Sequence, residues 1–289
     1  LKRGHQAYKC NHCGYRFTRH RTPKTDWSVV YLDWLHHRKT LHTITAEQRM
    51  TYPTLMRHFD ALDWSEGLLV PAPAHPIHLL LDATFFGRDY GFLCFHDTHT
   101  IIWFKEIKTE GVKPLSDSLQ EIKTAGYKIA SVTIDGRKGY TEAIRKVFGN
   151  VPIQMCLFHQ RAIVRRYITD HPKTLCGREL KALMNQLGTL SPEVFIEAFY
   201  LLKLKHKETL DALNNAGDHR HKKLRAAFHS LQTNLHAMFT YSDISNMKIP
   251  KTTNQLEGYF GYLKERIKIH RGLTPEHKKK AIRAFLNSF

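Results

Sequence analysis

The chain has 289 residues, enough for one large or two to three small domains, and carries 44 Lys and Arg against 26 Asp and Glu, a formal charge of +18. Residues 1–60 hold 11 basic and 4 acidic side chains, residues 61–244 hold 23 and 19, and residues 245–289 hold 10 and 3. Cations clustered at both ends favour a polyanion partner, because neutralising phosphates releases counterions, while three further signals exclude membrane and secreted classes. No apolar run reaches the roughly 18–20 residues that span a bilayer, no signal-peptide pattern opens the chain, and five scattered cysteines do not make a disulfide framework. A soluble, cytoplasmic protein is expected.

The first motif is AYKCNHCGYRF, residues 7–17. Cys10 and Cys13 on a tight turn eased by Gly14, with aromatic residues on either side, form one half of a zinc ribbon. Tetrahedral zinc needs four ligands and no second Cys-x-x-Cys follows. The other pair lies upstream of Leu1, or His5, His12 or His20 substitutes, or the site is vestigial; residues 1–22 are therefore read as a partial ribbon, with Zn2+ bound if it is complete. The chain starts in the middle of this motif, and a missing N-terminal segment is expected.

Over residues 25–62 the spacing of Val29, Leu32 and Leu35 predicts a helix, and shorter helices follow around 44–49 and 52–59. Three short helices with brief turns match a helix-turn-helix over residues 23–65, whose last helix offers Thr54, Arg57 and His58 to a DNA major groove. A plain three-helix packing unit has the same signature. Residues 66–76 read as a proline-punctuated linker.

Beyond the linker, apolar β-type runs predict strands at 77–86, 90–96, 101–107, 128–136 and 151–156. Helices are predicted at 114–125, 140–148 and 158–168. The order β-β-β-α-β-α-β-α makes a mixed five-strand α/β sheet with helices on its faces and the fourth strand beside the first. Asp82 interrupts the first strand near its end and Asp135 closes the fourth. A carboxylate in an apolar strand is expensive to bury unpaired, and two brought together repel unless a divalent cation sits between them. That is the logic of a two-metal phosphoryl-transfer site. Either aspartate alone is also an ordinary turn former.

From 172 to 245 the spacing of Leu180, Leu183 and Leu187, then of Phe195, Phe199 and Leu202, is helical, with no convincing strand. Lys203, Lys205, Lys207, Arg220, Lys222, Lys223 and Arg225 either track DNA or lie on solvated helix faces. Cys156 and His159 have ligand-like spacing, but two ligands do not make a zinc site; a buried thiol beside a hydrogen-bonded histidine explains them equally well.

The last segment, KTTNQLEGYFGYLKERIKIHRGL (251–273), starts a helix with Thr252 and Gln255 at capping-box spacing. Leu256, Tyr259, Phe260, Leu263 and Ile267 make its apolar stripe, and Asn254, Glu257, Gly261, Lys264 and Lys268 lie along a neighbouring face. Glu257, at the edge of the stripe, is placed to reach toward Asp82 and Asp135, while Lys264, Lys268 and Arg271 are candidates to hold a DNA backbone. A solvated Glu and Lys face is the plainer alternative.

Taken together, LLLDATFF, VTIDGRKGY, the Cys-x-x-His of MCLFHQ and TTNQLEGYFGYLKERIKIHRGL resemble bacterial insertion-sequence transposases of the Mutator-like DDE superfamily over nearly the whole chain. The TTNQLEG…HRGL segment is the most specific element. The resemblance implies an RNase H-like catalytic core, residues 66–171 and 246–289, interrupted by an α-helical insertion at 172–245. It implies that Asp82, Asp135 and Glu257 are catalytic and bind two Mg2+ or Mn2+ ions. Cys156 and His159 take a structural or DNA-positioning role near the active centre. Transposon ends and target DNA become the partners, with a homodimer or larger assembly at synapsis and a nucleoid-associated location. The implied reaction is cleavage at the element's ends followed by strand transfer. Two alternatives stay open: another RNase H-fold nuclease such as a junction resolvase, and a non-enzymatic DNA-binding protein derived from a truncated or domesticated transposase.

Overall fold

A computed structural model of the chain describes residues 7–18, 25–213, 217 and 219–288. His5 and His20, two of the candidate zinc ligands, lie outside them. The chain divides between Asp63 and Trp64 into two compact units.

In the first unit, β1 (Ala7–Lys9) and β2 (Arg16–Thr18) form an antiparallel hairpin around the cysteine turn. Three helices follow: α1 (Trp27–His36), α2 (Leu41–Glu47) and α3 (Tyr52–Asp60). Asp26 and Thr40 cap α1 and α2 by accepting the backbone N–H groups of Ser28 and Thr43, and Pro53 sits in the first turn of α3. Tyr31, Trp34, Leu35, Ile44, Leu55 and Phe59 supply the buried seam. Val29, expected in that seam, is 62% exposed. The aromatic pair Tyr31 and Trp34, packed edge-on against each other, rotates the buried face of α1 away from Val29.

The second unit holds β3 (Gly67–Leu68), β4 (Ile77–Phe86), β5 (Tyr90–His96) and β6 (Ile101–Ile107), then α4 (Val112–Thr124), β7 (Ile129–Ile134), α5 (Tyr140–Phe148), β8 (Ile153–Met155) and α6 (Leu157–Ile168). Its sheet runs β3-β6-β5-β4-β7-β8, antiparallel from β3 to β4 and parallel through β7 to β8. The five expected strands are present, and β7 pairs with β4 as the element order requires. The sheet has six strands rather than five because Gly67 and Leu68, inside the stretch read as a linker, pair with Phe104 and Trp103. Two residues are too few to show a strand period in sequence.

Side chains alternate across the sheet. Leu79 and Leu81 of β4, with Val132 and Ile134 of β7, face a core shared with Leu115, Leu119 and Ile122 of α4 and Ala143, Ile144 and Val147 of α5. Leu80, Asp82, Thr133 and Asp135 therefore project to the opposite face. That face meets the chain's last helices, α12 (Asn254–Ile269) and α13 (Pro275–Leu286). The Thr133 hydroxyl donates to the Pro250 carbonyl at 2.8 Å, the rings of His96 and Tyr259 lie 5.4 Å apart, and Arg283 of α13 bonds Glu66 and Glu106.

Between these parts come α7 (Leu175–Asn185), α8 (Pro192–Lys205), α9 (Lys207–Asp211), α10 (Lys222–Asn234) and α11 (Thr240–Asp243). Their core contains Leu180, Leu187, Phe195 and Phe199, as the spacing predicts. Among the described residues of this segment there is no strand, only an isolated bridge between Leu213 and His219. The segment docks on the β8 edge: Met155 N–H donates to the Ala237 carbonyl at 2.7 Å, Thr240 donates to the Ile153 carbonyl at 2.9 Å, and the Gln154 side chain bonds Met238 and Tyr241. An edge strand is thereby covered rather than left open.

Candidate active site

Two aspartates are placed by strand register. Leu79 pairs with Val132 and Leu80 with Thr133. Continued by two residues, this register sets Asp82 opposite Asp135, on one face of the sheet and roughly one strand spacing of about 4.8 Å apart in backbone terms. Asp82 is only 8% exposed and accepts the Ala83 N–H at 2.8 Å. Asp135, just past the end of β7, accepts the Arg137 N–H at 3.1 Å. Gly136, between them in the turn, has φ +76°, and a Cβ there would collide with the Met155 thioether.

The third carboxylate arrives on α12. The expected capping box does not form: Thr253, not Thr252, is the N-cap, without a side-chain capping bond. Its fully buried hydroxyl lies 3.4 Å from Cys156 Sγ and 3.4 Å from His159 Nδ1, and its N–H donates to Cys156 Sγ at 3.3 Å. Gln255, expected to close the box, instead donates to the Thr98 carbonyl in the β5–β6 turn at 3.1 Å. The Leu157 N–H donates to the Lys251 carbonyl at 3.0 Å, so the start of α6 and the start of α12 are tied together. One turn into α12, Glu257 Oε1 lies 3.4 Å from His159 Nε2, which is in turn 4.0 Å from Asp82 Oδ2. Ligand atoms of Asp82, His159 and Glu257 all fall within 4.8 Å of one another; Asp135 is outside that group.

The electrostatics follow from this crowding. Burial pushes the Asp82 carboxyl up to about 6, with Asp135 and Glu257 adding to the rise and His159 opposing it. Glu257 is raised as well, first by burial, against the pull of His159. Burial would lower His159, but its bond to Cys156 and the charges of Asp82, Cys156 and Glu257 outweigh that and raise it to about 9. Burial alone would raise the Cys156 thiol; the His159 and Thr253 bonds bring it below its ordinary value. Tyr140, at the start of α5, reports both aspartates: burial, then Asp135, and more weakly Asp82, push its phenol up to about 12. An excess of carboxylate, with an imidazolium drawn into it, is an environment that favours added positive charge. Carboxylate oxygens suit hard cations such as Mg2+ and Mn2+.

Residues 98–287 match the family described as Transposase, Mutator family, a span that includes Asp135, Cys156, His159 and Glu257. The chain belongs to the Mutator family of transposases. No curated protein matches it in sequence. Among solved structures it is similar to the Drosophila P element transposase strand transfer complex, at 8% identity and a TM-score of 0.47, covering 92% of each chain. It is also similar to a chain of the simian T-cell lymphotropic virus intasome in complex with PP2A regulatory subunit B56 gamma, at 11% identity and a TM-score of 0.25, covering 71% of this chain and 68% of that one. Likenesses this loose carry no argument about chemistry.

Elsewhere in this transposase-family chain, Lys264, Lys268 and Arg271 are exposed along and just beyond α12. On α3, Arg57 is exposed and bonds the Thr54 hydroxyl at 3.3 Å. The His58 ring, by contrast, is stacked on Trp27 at 4.0 Å. Cys10 and Cys13 face each other across the hairpin turn, and the Cys10 thiol is lowered by the backbone N–H groups of Cys13 and His12 and by the Cys13 side chain. Several cations of the 172–245 segment are already engaged: Lys203 with Gln232, Lys205 with Glu179 and Arg225 with Asp211. Sequence reasoning missed Thr253 and the bridging position of His159. The Cys-x-x-His spacing marked His159 without showing that it lies between Asp82 and Glu257, and the only signal for Thr253 was a second threonine ahead of α12, which local capping rules do not distinguish from the first. Among the described residues no helix is long and apolar enough to cross a membrane.

Proposed function

We propose that the protein is a DDE transposase with an RNase H-like core, binding the ends of an insertion sequence and carrying out divalent-metal-dependent strand cleavage and strand transfer. The observation that carries this reading is the meeting of Asp82 and Glu257 around His159, on the side of the sheet toward which the β4–β7 register, continued past Leu80 and Thr133, directs Asp135. Asp82, Asp135 and Glu257 would hold two Mg2+ or Mn2+ ions, which when bound supply activation of an attacking oxygen and stabilisation of a leaving one. The buried Asp82 gives the site a fixed wall, and the sheet end keeps the two aspartates in register. Thr253 and Cys156 orient His159, whose imidazolium offsets the carboxylate charge and faces both Asp82 and Glu257. Lys264 and Lys268 further along the same helix, and Arg271 just past its end, hold the DNA backbone. The net reaction is hydrolysis of a phosphodiester at the element end, then attack of the freed 3′-hydroxyl on target DNA with release of a target-strand 3′-hydroxyl.

The first unit fits end recognition, with α3 presenting Thr54 and Arg57 as a helix-turn-helix reader and Cys10 and Cys13 as half of a Zn2+ site. A homodimer is the assembly that would synapse two ends. Electron paramagnetic resonance titration with Mn2+ tests the metal assignment: two ions per chain are expected for the wild type, and fewer, held more weakly, for Asp135→Asn and Glu257→Gln. Undiminished Mn2+ binding by both variants would remove the carboxylates from the site.

A further inference from the structure

The buried side of α6 is made by Leu157, Gln160, Val164 and Ile168. On its other side Phe158 is 43% exposed, one residue from His159. The two rings meet edge to face, with centroids 5.8 Å apart and planes at 90°. Phe158 thus stands at the margin of the carboxylate cluster.

From Phe158 a groove of about 240 Å³ runs away between α6 and α7. Arg161 and Arg165 follow Phe158 at helical spacing along α6, and α7 contributes Lys181, Met184 and Asn185. Among the described residues that line it there are three cations and no acid. Arg161 donates from its guanidinium to the Leu187 carbonyl and Lys181 from its ammonium to the Asp170 carbonyl, which fixes both charged heads at the groove with further N–H donors left over. Arg165 meets Asp170 only at 3.8 Å, both largely exposed, so its head remains available to a stronger anion.

An exposed aromatic ring followed by evenly spaced cations is the chemistry of single-stranded nucleic acid, in which bases stack on the ring and phosphates follow the charges. Bases inside a duplex already stack on each other, so the ring can take only a base at a strand end or one drawn out of the helix. We propose that Phe158 is a stacking platform for an unpaired nucleobase next to the phosphodiester undergoing reaction, with Arg161 and Arg165 guiding the strand away from the carboxylates. This rests on the transposase reading above and adds a base-binding position to it.

The test uses the full chain in EDTA, so that binding is read without cleavage, and a short oligothymidylate carrying a single 2-aminopurine. Wild type should change the 2-aminopurine emission on binding, and the titration of that change gives the affinity. Phe158→Ala and Phe158→Leu should weaken binding by about 5- to 150-fold, the range for one base-aromatic stack. Phe158→Trp should bind at least as tightly as wild type. The salt dependence should be unchanged in these variants, while Arg165→Ala lowers its slope by about 0.7. Wild-type affinity in Phe158→Ala overturns the platform, as does wild-type affinity in Phe158→Leu, which would mean that any apolar side chain suffices. Oligonucleotide binding unchanged in Phe158→Ala while sedimentation shows a dimer falling apart would make the ring an interface between copies. Normal metal-dependent duplex cleavage with unchanged oligothymidylate binding would overturn the platform alone; absence of binding to both oligothymidylate and duplex would overturn the transposase reading with it.

Discussion

Thr253 and Cys156, 97 positions apart in sequence, are joined twice: the Thr253 N–H donates to Cys156 Sγ at 3.3 Å and its hydroxyl lies 3.4 Å from the same sulfur. Because the hydroxyl also meets His159 Nδ1, this one buried residue sets both the imidazole and the first turn of the helix that carries Glu257. Thr253→Val keeps the volume and deletes the hydroxyl. Cleavage should fall by about 10- to 100-fold, the equivalent of one lost contact of about 1.5–3 kcal/mol. DNA affinity should stay within about twofold, and Thr253→Ser should recover most of the rate. Single-turnover cleavage alongside equilibrium DNA binding separates these outcomes.

Asp82 has a stability consequence of definite sign. Its folded-state pKa, about 6, lies above the unfolded value, so the native protein holds the proton more tightly and the ionised carboxylate weakens the fold at neutral pH. Asp82→Asn should stabilise the metal-free protein at pH 7 by up to about 3 kcal/mol. That advantage should shrink as the pH falls through about 6 and vanish near 4. Thermal melts in EDTA across that range check it; a variant less stable than wild type at pH 7 would contradict it.

Gly136 combines positive φ with close approach to Met155, so Gly136→Ala should cost about 1–3 kcal/mol and displace the adjacent Asp135. Met155→Ala alone should cost about 2–5 kcal/mol as a buried truncation, and the double variant should lose less than the sum of the two single losses because the collision is relieved while the backbone strain remains. Urea unfolding midpoints of these variants, read with cleavage rates, measure the coupling.

Lys264 and Lys268 are exposed on successive turns of α12 beyond Glu257. If they hold backbone phosphates, Lys264→Ala should weaken binding to all duplex sequences alike and lower the slope of log affinity against log salt by about one. A sequence-selective loss would assign Lys264 to base reading instead.

The five expected strands of the sheet were legible because apolar, β-rich runs such as LLLDATFF and IIWFKEI announce buried strands. Asp82 stood out as an acid inside such a run, and it is buried there, 4.0 Å from His159. The packing of the helical segment at 172–245 was equally plain in Leu180, Leu187, Phe195 and Phe199, all buried. What escaped depended on partners far away in sequence. Gly67 and Leu68 become a strand only because β6 offers its edge. Thr253 replaces Thr252 as the N-cap because Cys156 and His159 claim its side chain. Val29 fits a helical stripe as well as Leu32 does, and only the packing of Tyr31 and Trp34 decides which side is buried.

The central claim, that Asp82, Asp135 and Glu257 act as one catalytic group, is tested most directly through Asp135, the aspartate aligned by register. Wild type and Asp135→Asn would be given Mn2+, labelled duplex carrying the element's flanking ends, and a supercoiled target plasmid. The account predicts cleaved and joined products for the wild type, and for Asp135→Asn a loss of both with end binding retained. Cleavage and joining at undiminished rates in Asp135→Asn would contradict it.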